Sequence, residues 1–192
     1  MSAIVPASMP GHAAPPALLA EPAQYLTFQL AGEAYAIGIL AIKEIIEYHS
    51  LTEVPMMPAC VRGVINLRGA VVPVMDLQAR FGRKPSEVTK RTCIVIVEIE
   101  GQGHGEDGRE RERQVIGVVV DAVNEVLEIS PADIEPAPAF GARIRTDFIQ
   151  GMGKVRGKFV ILLDVDHVLS LDDLRALSNA EVATDAAVPA VA

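Results

Sequence analysis

A mainly β fold, arranged as small barrels or a sandwich, is what this sequence predicts, and three observations predict it. Half of the residues are hydrophobic, mostly Val, Ile, Leu and Ala, with no Trp and few other aromatics; β-branched side chains pack well on a pleated surface. Short apolar runs are punctuated by turn signals every ten residues or so. The helices that a parallel α/β sheet needs between its strands are missing. A chain of 192 residues can fill one sizeable core, or two small barrels sharing one.

The elements follow in order. Residues 1–22 are rich in Ala and Pro and read as a disordered leader. Tyr25 to Leu30 alternates as a half-buried strand, Ala31-Gly32-Glu33 is a turn with Gly32 at a positive-φ position, and Ala34 to Ile39 starts a second strand. Leu40 to Tyr48 (LAIKEIIEY) fits a short helix or a strand with its charges outward. Val54 to Pro58 cannot be helical, because two prolines stand three apart.

Val61 to Leu77 reads as strand, glycine turn, strand, and Pro73 predicts that the second of these is an edge or bulged strand. Leu77 to Phe81 is a helical turn that Gly82 stops. Arg91 to Glu100 and Gln114 to Asp121 are strands joined by a polar, charged loop at Gly101 to Arg113, and Ala122 to Ile129 alternates as another. Ile134 to Phe140 is extended coil. Phe148 to Met152 and Lys158 to Val165 form a last pair around a Gly-rich turn, and Asp164 to Leu177 carries helical spacing.

Composition excludes several functions. The net charge of -8, from 17 basic and 25 acidic residues, lacks the basic excess of a nucleic-acid binder. Two cysteines, Cys60 and Cys93, do not make a disulfide framework and read as reduced core thiols. The N-terminus has no signal-peptide pattern and no window approaches a membrane span, so the expected location is the cytoplasm.

No catalytic constellation stands out. His12 lies in the leader and His104 in the charged loop, while His49 and His167 sit at element edges. Cys60 has no local base. Gly151-Met152-Gly153-Lys154 lacks phosphate-loop spacing and reads as a β-turn, and Glu106 and Asp107 lie in the loop. No metal or cofactor is expected. The reading is a binding module, not an enzyme.

One segment is more specific. Gly63 to Leu77 reads GVINLRGAVVPVMDL and resembles the hallmark run of CheW-like domains. Phe28 to Ile39, Ile42 to Ile46, Val54 to Pro58, Gly117 to Val126 (GVVVDAVNEV), Ile149 to Gly153 and Ile161 to Asp164 resemble the family's other elements in the same order, over about residues 24–170. The resemblance implies an all-β fold of two intertwined, SH3-like, five-stranded barrels with a C-terminal helix. The first barrel would come from the early strands plus the returning C-terminal ones, and the second from the middle of the chain.

It also implies an adaptor that couples methyl-accepting chemotaxis receptors to the regulatory domain of the chemotaxis histidine kinase, with a non-chemotactic receptor–kinase pathway as the alternative. Glu44 and Arg68 match the receptor groove, and Ile42 and Cys93 match its walls; Gly63, with Val64 beside it, matches a position linked to kinase coupling. Cys93 departs from the larger aliphatic residue that is commoner there. The domain is expected over 23–171, with a helix end and loose tail over 172–192. Flanks this short cannot hold a receiver or ATPase domain of about 100 residues, so a stand-alone adaptor is expected. Direct membrane insertion and nucleic-acid binding are not expected.

Overall fold

The computed structural model describes residues 21–100, 113–138 and 145–170. The strands are β1 (Ala23–Leu30), β2 (Glu33–Gly38), β3 (Ile42–Glu47), β4 (Val61–Leu67), β5 (Ala70–Asp76), β6 (Cys93–Glu100), β7 (Arg113–Val120), β8 (Ala122–Ile129), β9 (Ile134–Glu135), β10 (Ile149–Val155) and β11 (Lys158–Leu163). Two single-turn helices, α1 (Leu77–Arg80) and α2 (Val165–Val168), follow β5 and β11. One sheet runs β8-β1-β2-β11-β10-β9 and the other β3-β6-β7-β5-β4. The early strands thus join the C-terminal ones, and the middle of the chain forms the second sheet, as expected.

Three cores explain the apolar runs. Phe28, Tyr35 and Ile37 from the first sheet meet Val95, Val97 and Val118 from the second in a core between the sheets. Ile65, Val72, Val74, Ile94, Ile96 and Val119 fill the inside of the second sheet, and Tyr25, Ala36, Ile129, Val160 and Leu162 fill the first. Alternate residues of β6 therefore face different cores. A strand buried on both faces reads as a continuous hydrophobic run, which is why CIVIV shows no polar alternation.

The two sheets are built by an internal repeat. In β2 and β7, Ala36 pairs in parallel with Leu162 as Gly117 pairs with Val74. In β3 and β8, Ile42 faces Val97 as Val123 faces Phe28, and each ladder slips at that point. The β4–β5 hairpin answers to β10–β11: Arg68-Gly69 and Arg156-Gly157 are the turns, and both arginines take positive φ, 52° and 50°. Asp76 caps α1, and Asp164 caps α2. The first repeat lends two strands to the six-stranded sheet and three to the other, and the second lends four and two, so neither half closes a core without its partner.

Three expectations change and one open alternative is decided. Pro73 lies on an internal strand, since β5 pairs with both β4 and β7. Its ring is tolerated because β7 pairs only from Val74 onward; the slip in the ladder sits on β4, between Val61 and Gly63. Gly151 to Lys154 is strand, not turn, and the turn falls at Arg156-Gly157. Gly151 is needed for close approach: a Cβ there would stand 2.6 Å from Ile134 Cγ2, on crossing strand β9. The segment 40–48 divides into a 3-10 turn, Ile39–Ala41, and β3. The terminal helix begins at Val165 but ends at Val168, and Leu171 to Leu177 lie outside the described residues. The leader at 1–20, most of the charged loop and the tail also lie outside them.

A polar seam joins the repeats around α1. The Asp76 carboxylate is fully buried and accepts from Gln78 N and Ser86 N at 2.9 and 2.8 Å and from Arg62 Nε at 3.0 Å. The Arg62 guanidinium also donates to the Ser86 carbonyl. Gln78 reaches Asp121, whose carboxylate accepts from Ala31 N in the β1–β2 turn. Arg83 pairs with Glu33, which also accepts from the Tyr35 hydroxyl at 2.9 Å.

Candidate docking site

Glu44 lies on β3, just past the slip in its ladder with β6, with its side chain partly exposed. Arg68 opens the two-residue turn between β4 and β5; Gly69 completes the turn, and its N–H donates to Asn66 Oδ1 at 2.9 Å. Arg68 Nη2 meets Glu44 Oε2 at 3.1 Å. The glutamate side chain is 26% exposed and the arginine 81%, so one partner is seated and the other reaches outward. A guanidinium carries five N–H donors in a planar fork, so most remain free for an incoming carboxylate or carbonyl.

β3 and β4 are the two ends of their sheet. The pair closes the sheet edge to edge, helped by Thr52, which exchanges backbone hydrogen bonds with Val64 at 2.8 and 3.0 Å. This closure explains Gly63. Its φ is +148°, and a Cβ there would stand 2.4 Å from the Thr52 carbonyl oxygen. Gly63 and Val64 are thus seating residues. They hold the 52–57 segment, with Val54, Met56 and Met57 exposed, against the sheet.

Ile42 lies two residues before Glu44 on β3, and Cys93 three residues before Ile96, the ladder partner of Glu44 on β6. Both pack on the core between the sheets, Ile42 opposite Val97 and Cys93 opposite Glu47. Burial, and then the nearby Glu47 charge, push the Cys93 thiol pKa upward. Between them stands Ile45, 43% exposed, which sequence reasoning passed over. The signal was present: Ile45-Ile46 are adjacent in a strand, so only one of them can point inward. Val71, 71% exposed and paired with Asn66 beside the turn, was also missed.

The described histidines and Cys60 lie at separate places in the fold. His49 Nδ1 lies 3.2 Å from the Glu47 carbonyl on the surface, and exposed His167 on α2 lies 2.8 Å from Asp164. Cys60 is buried in the central core. An open cleft of about 720 Å³ runs between the start of β1, the 39–41 turn and the start of α2, with fully exposed Leu40 at its lip; it holds none of the candidate residues. Among the described residues, no group of three His, Cys, Asp or Glu could hold a metal ion, and no helix is long and apolar enough to cross a membrane.

Comparison with known proteins is consistent along the whole folded region. The model of the CheW-like domain matches residues 24–173. The chain is 31% identical over 156 residues to the chemotaxis protein CheW of Klebsiella aerogenes, covering 81% of this chain and 87% of the relative. It is 31% identical over 153 residues to the chemotaxis protein CheW of Rhizobium meliloti, covering 80% and 91%. The crystal structure of the scaffolding protein TtCheW from Thermoanaerobacter tengcongensis superposes with a TM-score of 0.65 at 34% identity, covering 84% of this chain and 93% of that one. With two SH3-like subdomains, the hallmark run on β4–β5 and this breadth of similarity, the chain belongs to the CheW family.

Proposed function

We propose that the chain is a chemotaxis adaptor that works by binding alone, in the cytoplasm, and couples methyl-accepting chemotaxis receptors to the chemotaxis histidine kinase. The observation that carries this reading is the Glu44–Arg68 pair, in which a seated carboxylate aims an exposed guanidinium outward at a barrel rim. Such a group recognises a carboxylate or carbonyl without doing chemistry on it. The receptor tip docks on this pair and extends along β3 and β6 over Ile42, Ile45 and Cys93.

The kinase regulatory domain docks on the segment that Gly63 and Val64 seat. Val54, Met56 and Met57 give it exposed, adaptable apolar side chains, which suit a reversible interface. Each contact is of the small, transient class, at or below about 1,200 Å² in total, so modest pairwise affinity is expected. Co-purification from cell extract tests the reading: receptor and kinase come down together with the intact chain. Recovery of neither contradicts it.

A further inference from the structure

The internal repeat gives the Glu44–Arg68 pair a counterpart in the other barrel. Glu125 stands on β8 where Glu44 stands on β3, and Arg156 opens the β10–β11 turn as Arg68 opens β4–β5. Arg156 Nη1 lies 3.4 Å from Glu125 Oε1, and both side chains are exposed. The turn conformation alone is not the signal, because Ala31 adopts it too, at φ 50°. The signal is an arginine in that turn meeting a glutamate on the far end strand, once in each barrel.

Two differences point to the occupant. Asn66 and Ala70 flank the first arginine two residues away on either side, whereas Lys154 and Lys158 flank the second. The tip therefore gathers three exposed cations on a chain of net charge -8, and among the described residues neither lysine has an ion-pair partner. Lys154 faces Phe159 across the ladder, and Phe159 is 51% exposed. Unpaired cations beside an exposed aromatic complement an acidic segment that carries an apolar side chain.

We propose that Glu125, Lys154, Arg156, Lys158 and Phe159 form a second docking site, filled by an acidic segment of the same receptor that fills the first. The inference rests on the reading of Glu44–Arg68 as a receptor site, and the two fail separately. The test titrates the isotope-labelled full chain with a soluble receptor signalling fragment, read by NMR shifts and by stoichiometry. The expected result is two fragments per chain, with shifts around both turns. The combined substitution Arg156→Glu and Lys158→Glu should weaken the second class roughly tenfold while sparing the first, and Arg68→Ala should do the reverse.

Higher salt should weaken the second class more, because its lysines are solvent-exposed. One fragment per chain, lost in Arg68→Ala and untouched by the double reversal, overturns the second site and leaves the first. Binding that neither variant disturbs, or no binding at all, overturns both.

Discussion

Arg68 and Glu44 stand 3.1 Å apart, yet they come from opposite ends of one five-stranded sheet. Their contact is possible because the sheet rolls until β3 and the β4–β5 turn meet. The contact that marks closure is also the one on which we propose that the receptor docks. Fold and recognition therefore meet at one pair, and separating their contributions is the first task for mutagenesis.

Arg68→Ala should leave the fold nearly as stable as before, because an ion pair with one member 81% exposed contributes about 0–1 kcal/mol. Receptor binding should fall. Arg68→Gly makes a sharper contrast. A non-glycine residue at φ 52° costs roughly 1–2 kcal/mol relative to glycine, so this variant should melt higher while binding as poorly as the alanine one. Thermal melts alongside a receptor pull-down check both halves.

Asp76→Ala should be far more damaging. The carboxylate is fully buried, caps α1 and holds Arg62 at 2.9 Å. Removing one member of a buried pair leaves the other uncompensated, at a cost of about 3–5 kcal/mol. Urea titration measures the loss. A drop below about 1 kcal/mol would show that the buried Asp76–Arg62 pair does not hold α1 in place.

The glycines at the two ladder slips should rank. At Gly63 an added Cβ meets the Thr52 backbone oxygen at 2.4 Å, whereas at Gly151 its closest neighbour is a side-chain methyl of Ile134 at 2.6 Å. A side chain can move aside more easily than a backbone carbonyl. Gly63→Ala should therefore destabilise more than Gly151→Ala, and it should weaken kinase coupling by unseating the 52–57 segment. Equal melting temperatures for the two variants would argue against this placement.

Much of this was legible in the residues. Turn positions at Gly32, Gly69 and Gly82 and the strand alternation of β1 and β8 follow from local chemistry, which acts within a few positions along the chain. The hallmark run from Gly63 to Leu77 led to Arg68, and the family resemblance that also covers Ile42 to Ile46 led to Glu44. What stayed hidden depends on distant partners. Pro73 looked like an edge residue because the parallel pairing with β7, from Val74 onward, cannot be read locally. Gly151 and Gly153 looked like a turn because the crossing of β9 is a tertiary fact. The repeat itself was visible, with IKEIIE at 42–47 against VNEVLE at 123–128, but its meaning emerged only once the strands were seen to exchange.

Tyr35 should give the protein an alkaline limit. Burial, and then its hydrogen bond to Glu33, push the hydroxyl pKa from 10.0 up to about 12. The unfolded chain ionises first as pH rises. The stability from a neutral Tyr35 is therefore complete below pH 10 and is lost as pH climbs toward 12, by on the order of 2–3 kcal/mol. Denaturant midpoints between pH 9 and 12 should fall for the intact chain and fall less for Tyr35→Phe. Parallel curves would contradict the burial of this hydroxyl as the cause.

The most direct measurement is co-sedimentation of purified histidine kinase with receptor-bearing membranes, with and without this chain. The kinase should pellet with the membranes when the intact chain is present, and pellet much less with Arg68→Ala or with no chain. Kinase that pellets equally in all three conditions would contradict an adaptor role for the protein.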